Sequence, residues 1–96
     1  MKHTEADHLL IRLAEECAEV QQRITKALTY GLTEKQPGQG LDNNERLALE
    51  LDDLFGVHEM LLHRSVIRRP NLQNIDAKVL KVVTHMAYAR QIGELV

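Results

Sequence analysis

Aromatic side chains are nearly missing from this chain: one Phe, two Tyr and no Trp, 3% of 96 residues. That scarcity disfavours a single-stranded nucleic-acid platform, which needs rings on which bases stack. Charge points the same way. Twelve Lys and Arg against 14 Asp and Glu leave a formal net charge of -2, against general binding to a phosphate backbone. The lone cysteine, Cys17, has no partner for an internal disulfide, which fits a reducing cytoplasm. It is expected to be a small packing residue, since nothing near it would favour a thiolate. No apolar stretch approaches the roughly 20 residues of a membrane span. The opening Met1-Lys2-His3-Thr4-Glu5 turns acidic before any apolar run long enough for a signal peptide. The expectation is a soluble cytoplasmic protein with neither membrane nor nucleic acid as partner.

What is present is helical patterning. Apolar residues make up 44% of the chain, a globular composition, and 96 residues suffice for one domain, 1–96, with a marginal private core. Leu9, Leu13, Val20, Ile24 and Ala27 recur at helical spacing. Thr4 with Asp7 resembles a capping box, and Gly31 after Tyr30 is a natural stop. Leu32 to Asn44, with Pro37, Gly38 and Gly40, reads as a loop of unusual length, a type that is often functional. A second helix is predicted from Asp42–Asn44 to about Arg64, with Leu47, Leu51, Leu54, Phe55, His58, Leu61 and Leu62 on its apolar face. Arg68, Arg69 and Pro70 break the pattern. A third helix follows Asn71 or Asn74 and runs to about Ile92, with Ile75, Val79, Val82, Val83, Met86 and Ala89 facing inward. The fold expected is all-α: three amphipathic helices in an antiparallel bundle. So short a chain leaves an apolar face uncovered, and a homodimer or homotetramer would complete the bundle. The alternative is a monomeric three-helix domain.

Glu16 stands where a leucine should. At about 100° per residue it projects into the middle of the first apolar stripe. Glu15 and Glu19 lie on one shoulder of that stripe, and Glu50 and Asp53 border the apolar face of the next helix. Burying an ionised carboxylate costs several kcal/mol unless cations or donors compensate. Within each helix the paired acids, Glu16 with Glu19 and Glu50 with Asp53, are three residues apart and project from one side. Antiparallel packing would bring the two pairs face to face as an oxygen-only cage, suited to Mg²⁺ or Mn²⁺ rather than to softer metals. Against this, glutamate is a good helix former and such strings are common on solvated faces. The phase of Glu16 is what favours a metal. Asp52 points away and reads as a surface residue.

Cations lie nearby in sequence. Lys78, Lys81, His85 and Tyr88 line one flank of the third helix, and Arg12, Arg23, Lys26 and Tyr30 share the shoulder with Glu15 and Glu19. A divalent metal with lysines beside it is what a polyphosphate requires. Taken singly, each lysine is more simply a solubilising group; Lys78 and Lys81 stand out. His58 reads as a satisfied core histidine. A di-iron bundle would need Glu-x-x-His on two helices, and only Glu5-Ala6-Asp7-His8 fits, so that reading is rejected. No P-loop, GxGxxG or nucleophile elbow is present.

The segments LAEECAEVQQRITKALTYGL and ERLALELDDLFGVHEML resemble the MazG-like all-α nucleoside triphosphate pyrophosphohydrolases. The family signature, EExxE then ExxD, would be Glu15-Glu16-x-x-Glu19 and Glu50-x-x-Asp53, and the stretch from Lys78 through Gly93 looks like the basic third helix of its small members. The resemblance covers nearly the whole chain. It implies Mg²⁺-dependent hydrolysis of an NTP or dNTP to the monophosphate and pyrophosphate, with Mn²⁺ as a substitute. Glu16, Glu19, Glu50 and Asp53 would be metal ligands, Glu15 would assist the attacking water, and Lys78 and Lys81 would contact phosphate. Lys26, Tyr30 and Tyr88 fall in segments matched to the substrate. The spacer between Glu19 and Glu50 is slightly longer than usual in the family. A further basic residue expected on the third helix has only His85 to stand in for it. The rival reading from another class is a non-catalytic helical module that binds a nucleotide or a protein.

Overall fold

The structure is a computed structural model that describes residues 2–96. It contains three helices, α1 (Glu5–Tyr30), α2 (Asn43–His63) and α3 (Leu72–Gln91), and no strand among the described residues. Each begins on a side-chain cap. Thr4 and Asp7 form the full capping box: the Asp7 N–H donates to Thr4 Oγ1 at 3.1 Å and the Thr4 N–H to Asp7 Oδ2 at 3.0 Å. Asp42 accepts from the Glu45 N–H at 2.8 Å, and Asn71 from the Asn74 N–H at 3.1 Å. Gly31 ends α1 at φ +99°, a backbone that side chains resist, while its N–H donates to the Ala27 carbonyl at 2.8 Å.

Helices α1 and α2 form an antiparallel hairpin. At its closed end the Asn43 side-chain amide donates to the Gly31 carbonyl and to Glu34 Oε2, both at 2.8 Å. At its open end Arg64 pairs with Glu5. The predicted loop is therefore organised around its own exit. Asn43, 1% exposed, also receives backbone support there, its N–H donating to the Glu34 carbonyl at 3.1 Å. Arg46 reaches back to Gln36 Oε1 at 3.0 Å.

The hairpin core consists of Leu9, Ala27, Leu61 and Leu62, flanked by half-buried Leu13, Val20, Leu47, Leu51, Leu54 and His58. Three expected core residues lie outside it. Phe55 is 58% exposed, Ile24 is 42% exposed, and Cys17 is exposed rather than packed. One residue along a helix is a turn of about 100°, so Phe55 beside Leu54 and Cys17 beside Glu16 fall off a contact strip that only one partner helix covers.

The third helix departs from expectation most. It packs against neither α1 nor α2, so Ile75, Val79, Val82, Val83 and Met86 are exposed rather than inward-facing. Only Ala89 is half-buried, and its carbonyl accepts from the Glu94 and Leu95 N–H groups where the tail folds back. The α2–α3 turn passes through Ser65 at φ +56°. A three-helix bundle is thus not closed within one chain. The radius of gyration is 17.2 Å, against about 12.5 Å for a compact chain of this length. No described helix is long and apolar enough to cross a membrane.

Candidate metal centre

Midway along the hairpin the antiparallel register sets the turn of α1 that carries Glu16 against the turn of α2 that carries Glu50 and Asp53. One carboxylate oxygen from each of the three lies within 4.8 Å of the other two. Burial is graded across the group: Glu16 is 8% exposed, Glu50 is half-buried and Asp53 is exposed. The centre is closed on the α1 side and open where Asp53 meets solvent. Glu19 is exposed and is not one of the three, yet its carboxylate lies close enough to act on both Glu16 and Glu50.

The electrostatics are those of anions held together. Burial, first, and then the charges of Glu19 and Asp53 push the Glu16 carboxyl above its ordinary range, with Arg12 opposing the rise. Burial likewise raises Glu50, reinforced by Glu19, Asp53 and Glu16. Glu16 Oε2 and Glu50 Oε2 are both buried and accept no hydrogen bond among the described residues. Buried acceptors of this kind are normally satisfied. A hard divalent cation matches the set, since it takes oxygen ligands and would supply the missing positive charge.

The remaining predicted residues fall elsewhere. Glu15 is exposed on the shoulder of α1, engaged with Arg12 Nη1 at 2.9 Å. Lys26 is half-buried and Tyr30 exposed, both near the closed end of the hairpin. Lys78, Lys81 and Tyr88 are exposed on α3, which touches neither acidic helix, so one chain does not bring them to the acids. Lys78 and Lys81 share a shallow hollow of about 290 Å³ with Asn74 and Ala77. A larger hollow of about 450 Å³ lies at the α2–α3 turn, bordered by Leu62, Ser65, Val66 and Arg68, away from the acids.

Two residues carry more than the sequence reading assigned to them. Asn43 is the joint of the hairpin, and its signal was the run of cap residues Asp42-Asn43-Asn44. Arg23, placed on the shoulder by pattern, is half-buried with Nη1 inaccessible and donating to no group among the described residues. Its signal was the seven-residue offset from Glu16, which returns it to the same face. Compared with known proteins, the chain matches no family model, no curated protein and no solved structure.

Proposed function

We propose that the chain is a Mg²⁺-dependent nucleotide pyrophosphohydrolase of MazG-like type, cleaving an NTP or dNTP to the monophosphate and pyrophosphate. The observation that carries this is the convergence of Glu16, Glu50 and Asp53 from two helices, with two buried carboxylate oxygens left unpaired. Glu16, Glu50, Asp53 and the adjacent Glu19 would hold Mg²⁺, or Mn²⁺ in its place. Bound there, the ion would neutralise phosphate oxygens and acidify a water. The chain's part is geometric. Glu16 anchors the site because burial leaves its carboxylate little freedom, and Asp53 at the open edge would meet the incoming phosphates. Glu15 would orient the attacking water from the shoulder of α1, where it is exposed and paired with Arg12.

The same reading includes self-association. The chain exposes 7678 Å², whereas a compact monomer of 11.0 kDa would expose about 5600 Å². An excess of about 2000 Å² per chain is what obligate oligomers bury. A homodimer or homotetramer would cover α3 and bring Lys78, Lys81 and Tyr88 of one chain towards the acids of another. The bare apolar face of α3 also favours the second reading, a non-catalytic module that binds a protein partner through that face.

The deciding experiment is a panel of NTPs and dNTPs with Mg²⁺ or Mn²⁺, separating pyrophosphate from phosphate release, with Glu16→Gln in parallel. Wild type should release pyrophosphate, and Glu16→Gln should lose at least about 100-fold, the scale of a key electrostatic group, with helicity by circular dichroism unchanged. Turnover by Glu16→Gln equal to wild type would remove the site assignment. No release from any nucleotide by metal-loaded protein would leave the binding module.

A further inference from the structure

Arg23 holds the one buried guanidinium nitrogen among the described residues that donates to nothing. An arginine cannot relieve this by losing its proton, because its charge is permanent at any working pH. Nor does an acid pair with it. Glu19, four residues earlier, is in the position from which a glutamate ordinarily pairs with a downstream cation on a helix. The ion pairs of the described residues are instead Arg12–Glu15 and Glu5–Arg64. Glu19 is turned to the acidic centre, where it acts on Glu16 and Glu50.

Position makes the orphan informative. Seven residues after Glu16, Arg23 returns to within about 20° of it around α1, roughly 10 Å further along the axis. Side chains on a helix lean towards its N-terminus, which for Arg23 is the direction in which Glu16 and Glu19 lie along α1. The centre itself has the independent mark of a ligand site, since Glu16 is 8% exposed and its Oε2 is unpaired. A phosphate drawn to a metal among carboxylates is repelled by those same carboxylates. A second, fixed cation one to two turns away would hold the rest of an extended phosphate chain, and the planar fork of arginine suits phosphate oxygens.

We propose that Arg23 is a phosphate-binding residue of this site, taking the pyrophosphoryl portion of a ligand whose first phosphate lies at the carboxylates. The inference rests on the metal-centre reading and narrows its ligands to those with two or more linked phosphates. It assigns to Arg23, on the same helix as the acids, a role that the lysines of α3 cannot fill within one chain.

The test uses the full-length protein, Mn²⁺ and inorganic pyrophosphate, with binding read by calorimetry and thermal stability by circular dichroism. Arg23→Met keeps the length of the side chain without its charge, and Arg23→Lys keeps the charge without the fork. We expect both variants to bind Mn²⁺ within twofold of wild type. Pyrophosphate affinity in the presence of Mn²⁺ should fall about tenfold or more in Arg23→Met and less in Arg23→Lys, while inorganic phosphate distinguishes the variants little. Metal-free Arg23→Met should melt at or above the wild-type temperature, because it buries no unpaired donor. Wild-type pyrophosphate affinity in Arg23→Met would overturn the proposal and leave the metal centre standing. So would a lower melting temperature together with weakened Mn²⁺ binding, which would make Arg23 a structural residue. Failure of wild type to bind Mn²⁺ at all would overturn the metal centre, and this proposal with it.

Discussion

Helices α2 and α3 are close to equal in length, and both have an apolar stripe, yet one is half inside a core and the other is bare. Leu61 and Leu62 of α2 are buried, whereas Val79, Val82, Val83 and Met86 of α3 are exposed on a helix that packs against neither of the other two. The α1–α2 connection is anchored by Asn43, which bonds both the last carbonyl before the loop and Glu34 within it. The α2–α3 turn is tied to α1 only at its first residue, by the Arg64–Glu5 pair, and among the described residues no contact holds α3 itself against α1 or α2. An amphipathic pattern therefore states that a face is to be covered, and the connection decides whether the same chain covers it.

Charging the bare face should have the largest effect. If α3 is covered by a second copy, Val82→Asp puts an unpaired charge in that interface at a cost of about 3–5 kcal/mol. We expect light scattering to show the mass falling from dimer or tetramer to the 11.0 kDa of one chain. A wild-type protein already monomeric at micromolar concentration would make α3 a free helix and end the comparison there. On the covered side, Leu61 is 0% exposed, and Leu61→Ala should destabilise by about 2–5 kcal/mol in urea unfolding. A loss below about 1 kcal/mol would mean that the hairpin core relaxes far more readily than closely packed interiors do.

The smallest effect is electrostatic and sets the middle of α1 against its N-terminus. Glu16 and Glu50 have carboxyls raised above their ordinary 4.5, so the folded chain holds those protons more tightly than the unfolded chain. Their contribution to stability is complete below the unfolded value and is lost as pH rises through the raised folded values. Asp7 is the reverse. The Thr4 N–H and hydroxyl lower it from 3.8, so its contribution is present above that value and is lost as pH falls through the lowered one. In chelator the melting temperature should thus decline as pH rises from about 5 towards neutrality, by a few degrees. Mg²⁺ or Mn²⁺ should flatten the decline, and Glu50→Gln should reduce it without metal. A melting temperature that climbs steadily over this range would contradict the crowded-acid description.

What could be read from the sequence was what is local. The capping box at Thr4 and Asp7, the stop at Gly31 and the limits of all three helices depend on groups a few residues apart. The meeting of Glu16 with Glu50 and Asp53 was also legible, because an antiparallel return leaves few registers and their phases on the two helices agree. The exposure of Phe55, Ile24 and Cys17 was not, since it depends on the width of the strip a single neighbour covers. Nor was the bareness of α3, which is a property of the turn before it rather than of its own pattern. Asn43 was visible as a cap candidate but not as the joint of the hairpin, because its two acceptors lie 9 and 12 residues away.

The confinement of all helix pairing to α1 and α2 has a consequence for how the protein is made. Everything the hairpin needs lies before residue 65, and chains fold from the end that is synthesised first. The contacts at the hairpin's closed end, 9 and 12 residues apart, are local and of the kind that forms early. The acidic centre can therefore assemble without any contribution from α3. A second chain would then meet an already closed hairpin, with α3 as the last surface to find a partner.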